Sequence, residues 1–122
     1  MPTTREHFER ARQNLAFAQS LNLKTTPYLD WVVTAYFYAA LHLVDALLFE
    51  KDKLPGGTHE MRKDYVKTKF YLRAIRDEYR ELKDHSEDAR YRLITMTSTK
   101  IQQKIIPLYE EIERHIVPQL PK

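Results

Sequence analysis

The chain has no cysteine, and its only two glycines, Gly56 and Gly57, are adjacent. Without thiols there is no disulfide, no thiolate metal site and no cysteine nucleophile. Hairpin turns need positive φ, which glycine supplies most cheaply, so a chain this poor in glycine is not an all-β fold. Also missing are a Walker loop, a Rossmann glycine pattern, a nucleophile elbow and a His-Glu-x-x-His zinc helix. Most common enzyme classes lose their support with them. The opening Met1-Pro2-Thr3-Thr4-Arg5-Glu6 is not the apolar stretch of a signal peptide, so a cytoplasmic location is expected. The longest apolar run, Trp31 to Phe49, approaches membrane length but contains Thr34, His42 and Asp45. A carboxylate at mid-bilayer costs about 3 kcal/mol, and the mean hydropathy is −0.60, so no membrane span is expected.

What is present reads as helix. The 122 residues suffice for one core, and no linker divides them, so a single domain over 1–122 is expected. A first helix runs from about Thr4 to Leu21, with Phe8, Ala11, Leu15 and Ala18 on one face. After Thr25-Thr26-Pro27, Asp30 is a candidate N-cap for a second helix reaching about Lys51. That helix is apolar nearly all round, the pattern of a bundle centre or a dimer interface. Leu54-Pro55-Gly56-Gly57 is a loop, and Thr58 can cap a third helix. Met61, Tyr65, Thr68, Leu72, Ile75, Tyr79 and Leu82 then form one seam at spacings of four and three. This helix is expected to end near Asp84-His85-Ser86 or to kink there and continue through Arg90. Thr99 with Gln102 has the form of a capping box for a last helix carrying Ile101, Ile105, Leu108 and Ile112, kinked by Pro107.

The chain carries a formal charge of +3, and all of it lies between Arg62 and Arg92, where ten Lys or Arg face seven Asp or Glu. Arg62, Lys69, Arg73, Arg76, Arg80 and Lys83 follow the spacing of the apolar seam, rotated by one residue. This stripe is either a solvated flank whose stems cover the core edge or a phosphate-facing ridge. His42 and Asp45 sit in the apolar second helix, and a buried carboxylate needs a partner. They can satisfy each other, reach Arg62, Arg90 or a tyrosine, floor a pocket with His59 and Arg62, or ligate a metal with His59. His59 and Arg62 lie in the first turn after Gly56-Gly57-Thr58, where free N–H groups and basic side chains suit an anion.

Several of these segments resemble prokaryotic members of the HEPN superfamily. They are Asp30-Trp31 with Tyr38-Ala39-Ala40-Leu41-His42-Leu43-Val44-Asp45-Ala46, then His59-x-x-Arg62, Tyr79-Arg80-x-Leu82 and Ser86-x-x-Ala89-Arg90-Tyr91. The resemblance implies an all-α, four- to five-helix up-and-down bundle, usually a homodimer, in defence, toxin–antitoxin or RNA-processing settings. It implies RNA, a nucleotide or a cognate antitoxin protein as partners, and no cofactor or metal. Its anion or nucleotide candidates are His42, Asp45, His59, Arg62, Arg90 and Tyr91, with Lys69, Arg73, Arg76 and Lys83 as an RNA-facing ridge. Many relatives are metal-independent ribonucleases with an Arg-x4–6-His motif shared across the dimer, and Arg80 and His85 match that spacing. His85 would then be the general base on a 2′-hydroxyl, with Arg80 stabilising charge on the phosphate. A straight helix sets residues five apart about 140° from each other, so convergence within one helix needs a break near Asp84 or Ser86. Glu87 stands where nucleotidyltransferase-regulated toxins carry a tyrosine, which leaves that modification without its acceptor.

Overall fold

The computed structural model describes residues 2–121. Helix α1 spans Thr4–Ser20 and opens with a capping box: the Thr3 hydroxyl accepts from the Glu6 amide, and the Glu6 carboxylate accepts from the Thr3 amide. Its buried stripe is Thr4, His7, Ala11 and Ala18, with Phe8 and Leu15 only half-buried. The packed face is therefore turned slightly from the expected one. Alanines on that face let α1 lie close along the second helix, and His7 enters the interior with them.

Helix α2, Leu29–Asp52, is the axis of the molecule, with fifteen of its residues buried. Tyr28, not Asp30, occupies the N-cap; Asp30 stands in the first turn, where its charge meets the positive end of the helix dipole. The helix is long and apolar enough to cross a membrane by composition, yet the bundle covers most of it. Lys53 closes it in the left-handed region at φ 56°, its N–H returning to the Phe49 carbonyl.

The expected long third helix is two helices. Helix α3 spans His59–Thr68, capped by Thr58; the chain then turns extended at Lys69, runs as a 3₁₀ segment over Phe70–Ile75, and resumes as α4 over Arg76–Arg90. Asp52 holds the break. Its carboxylate accepts from the Tyr71 hydroxyl at 2.6 Å and pairs with the Lys69 ammonium at 3.0 Å. These bonds keep the Asp52 carboxyl below its ordinary pKa, the Tyr71 bond most. Beyond the break the seam resumes, with Leu72, Ile75, Tyr79, Leu82, Ser86 and Ala89 buried. Helix α4 passes Asp84 and Ser86 without a break.

Thr97, rather than Thr99, caps the last rod, its hydroxyl accepting from the Lys100 amide. That rod is continuous: one turn α5 (Ser98–Lys100), a π-helical stretch (Ile101–Ile105) and α6 (Ile106–Ile116). Pro107 has no N–H to give the preceding turn, and the ladder widens there where a kink was expected. Ile101, Ile105, Tyr109, Ile112 and Ile116 complete the core against α2 and α4.

Candidate functional site

Because the chain breaks at Lys69, α3 and α4 become the two walls of a cleft of about 620 Å³. Lys63 and Lys67, four apart, come from α3; Arg76, Arg80 and Lys83 come from α4; Asp77, Asp84 and Glu87 supply the opposing charge. Five cations thus face three carboxylates. Arg80 pairs with Asp77 at 3.2 Å, but both side chains are at least two-thirds exposed, so the pair is weak and exchangeable. Lys83 reaches Glu87 at 3.3 Å, and the Arg76 guanidinium donates to the Lys67 carbonyl, tying one wall to the other. Tyr79 and Val66 form the floor. The Tyr79 hydroxyl is buried without a hydrogen-bond partner among the described residues, and burial pushes its pKa up.

Of the expected ridge, Arg76 and Lys83 line this cleft together with Arg80. Lys69 is held at the break by Asp52, and Arg73 is exposed on the 3₁₀ segment. The straight six-residue stripe does not form, because it assumed one helix through Lys69.

The six anion candidates separate into two groups. His59, Arg90 and Tyr91 gather with Tyr38. The Arg90 guanidinium donates to Tyr38 Oη at 3.1 Å and to Tyr91 Oη at 3.2 Å, and it lies 4.7 Å from the Tyr91 ring centroid. His59 stacks on Phe37. Partial burial lowers its pKa, followed by the positive charges of Arg62, Lys83 and Arg90. Lys83 belongs to the cleft and Arg90 to the aromatic group, so His59 stands electrostatically between the two.

His42, Asp45 and Arg62 form the other group, in the interior. Arg62 Nε donates to Asp45 Oδ1 at 2.8 Å and an Arg62 terminal nitrogen donates to Oδ2 at 3.1 Å; both side chains are under a tenth exposed. The same nitrogen donates to the Gly57 carbonyl at 3.1 Å. Asp45 thus has the cationic partner that its position demands, and Arg62 is a structural residue with its donors committed, not a surface anion ligand. His42 is joined by His7, 5.8 Å away between ring centroids, and not by His59. Burial lowers the His42 pKa to about 4, and His7 is lowered by the same cause.

Arg80 and His85 sit on one unbroken helix. Arg80 points its charge into the cleft, while His85 is half-buried outside it, its pKa lowered by burial and then by Lys100 of the last rod. The two do not form one cluster within the protomer. Sequence reasoning missed Lys63, Lys67 and His7, and it placed Tyr79 in the apolar seam without a part in the site. The first two carried a signal, an i,i+4 lysine pair beside the loop, but the expected single stripe drew attention to one side of one helix only.

An all-α bundle around one apolar axial helix, with a basic cleft flanking its broken third segment, is the class that fold and site define. The family model of the HEPN domain matches residues 4–117, and the chain belongs to that family. Among curated proteins and among solved structures, nothing matches it significantly.

Proposed function

We propose that this HEPN protein is a cytoplasmic RNA-binding module, acting as a homodimer, whose α3/α4 cleft holds the phosphate backbone. The observation that carries this reading is the convergence of Lys63, Lys67, Arg76, Arg80 and Lys83 on one cleft with too few carboxylates to neutralise them. Cations held close together gain by exchanging one another for phosphates, and released counterions make that gain strongly salt-dependent. At the end of α4 the Tyr91 ring, 70% exposed, is free to stack on an unpaired base. The dimer reading rests on Leu93 and Ile94, two large apolar side chains left in solvent just past the end of α4. Leu93 is held in the left-handed region at φ 54° with its side chain 84% exposed, a strained backbone that presents an apolar group outward. The setting implied by the family, defence or toxin–antitoxin, makes an antitoxin protein the corresponding regulatory partner.

Fluorescence anisotropy with single-stranded RNA over a salt series tests the binding. Lys67→Glu with Arg76→Glu should reduce the slope of log K against log salt by about 0.7 for each phosphate the variant fails to neutralise. Salt-independent binding, or affinity unchanged by the double variant, overturns the reading.

A second reading, a metal-independent endoribonuclease, is favoured by one observation: both motif residues lie on α4, Arg80 in the cleft wall and His85 half-buried farther along the same helix. Since α4 separates Arg80 from His85, such a site is composite, Arg80 of one protomer working with His85 of the partner subunit. Cleavage would survive EDTA and leave 2′,3′-cyclic phosphate ends. His85→Ala would abolish it while leaving binding intact. Cleavage undiminished in His85→Ala, or none across varied RNAs, leaves the binding module alone.

A further inference from the structure

His7 of α1 and His42 and Asp45 of α2 meet beneath the Gly56-Gly57 loop, and none of them lines the basic cleft. One ligand atom from each of the three side chains lies within 4.8 Å of the others. His7 Nε2 and His42 Nδ1 are both buried, and neither finds a hydrogen-bond partner among the described residues. Two orphaned imidazole nitrogens in one cluster with a carboxylate are unusual, because buried polar atoms are satisfied in the great majority of cases. The carboxylate itself is fixed from the far side: Arg62 Nε holds Oδ1, and the longer bond reaches Oδ2. A carboxylate oxygen has two lone pairs, so Oδ2 retains one after accepting from Arg62. Overhead the loop is closed down on the cluster. A Cβ on Gly56 would stand 2.9 Å from Asp45 Oδ2 and 3.4 Å from His7 Cε1, so the backbone comes as near as only glycine allows.

We propose that His7, His42 and Asp45 bind one late divalent transition ion, Zn²⁺ foremost, in a site that joins α1 to α2 beneath the loop and takes a water as its fourth ligand. Two imidazoles with one carboxylate suit Zn²⁺, Co²⁺ or Ni²⁺, whereas Mg²⁺ and Ca²⁺ want oxygen ligands. A tetrahedral zinc with bonds of about 2.1 Å spaces its ligand atoms about 3.4 Å apart, so small side-chain rotations close the set. Both imidazoles are kept neutral by burial, the state in which they ligate. Arg62 then acts as the outer hydrogen-bonding group that orients a ligating carboxylate, and it also opposes the incoming charge. The loop between α2 and α3 has no regular secondary structure. This proposal does not rest on RNA binding or on any cleavage chemistry.

The test is isothermal titration of the full chain with Zn²⁺ at pH 7 after exhaustive EDTA dialysis, beside thermal melts. One ion per chain is expected, with a Tm rise of roughly 10 °C when free Zn²⁺ exceeds Kd a hundredfold. Mg²⁺ should do neither. His7→Gln and His42→Gln should each weaken binding by at least about tenfold, and circular dichroism establishes that both fold. His115→Ala, on the far rod, should bind as the parent does. Gly56→Val should lower affinity by crowding the loop onto Asp45. Absence of saturable binding overturns the proposal, and so does one-to-one binding that survives the His7→Gln, His42→Gln double variant. Should His42→Gln not fold, His7→Gln and Gly56→Val decide the matter.

Discussion

Arg62 and Lys63 are neighbours on α3 and live in opposite electrostatic worlds. Arg62 turns inward to a carboxylate in a dry interior, its donors assigned to Asp45 and Gly57. Lys63 turns outward into a cleft where cations outnumber carboxylates. The interior pair anchors α3 to α2, whereas the exposed cleft lysines, Lys63 and Lys67, add little to folding through their charge. Charge that is satisfied specifies structure. Charge left over is available for a ligand.

Breaking the interior pair should give the largest effect. Asp45→Ala leaves a guanidinium buried without its counter-ion and should destabilise the protein by about 3–5 kcal/mol, read as a shift in urea midpoint. Arg62→Lys keeps the charge but loses the two-pronged geometry, and should recover only part of that loss. Reversing the cleft charges sharpens the contrast from the other side. Lys63→Glu with Lys67→Glu, both exposed, should lower RNA affinity by at least tenfold while leaving the urea midpoint nearly unmoved, a stability change within about 1 kcal/mol. Equal damage to stability by both sets would erase the distinction between the two regions. Leu93→Gly, outside both, should stabilise the monomer by about 0.5–1 kcal/mol by relieving the left-handed strain. The same change should weaken the dimer, measured by sedimentation equilibrium. The smallest effect concerns pH. If cleavage occurs, its kcat/KM depends on unprotonated His85, so activity should fall only as pH drops through a value below the ordinary 6.5. A limb centred at or above 6.5 would point to a different base.

Much of the fold was legible because it rests on local rules. The four-and-three spacing of apolar residues, the Gly-Gly loop and the cap at Thr58 are written in adjacent residues. The break at Lys69 was not, since the sequence around it continues the seam through Thr68 and Leu72. What stops the helix is Asp52, a residue nineteen positions before Tyr71, and no window reads that distance. The candidate site divides in the same way. That Asp45 must have a cationic partner followed from burial alone, and Arg62 was among those named. His7 gave no sign because a single histidine among glutamates and arginines reads as surface; only the close approach of Ala11 and Ala18 to α2 brings it inside. The cleft's basic character could be read from charge counts, whereas its second wall depended on the break.

Helix α3 buries only two side chains, Arg62 and Val66. It is therefore a segment hinged on one ionic bolt, bounded by an irregular loop on one side and the Lys69 turn on the other. Its amides should exchange with solvent far sooner than those of α2, opening as a small unit while the rest of the bundle stays shut. One wall of the cleft is then rigid and the other yielding, so the spacing between Lys67 and Arg76 adapts to the strand that lies between them. A guest gripping both walls would slow that exchange, and the mobility of a ten-residue helix becomes a reporter of occupancy.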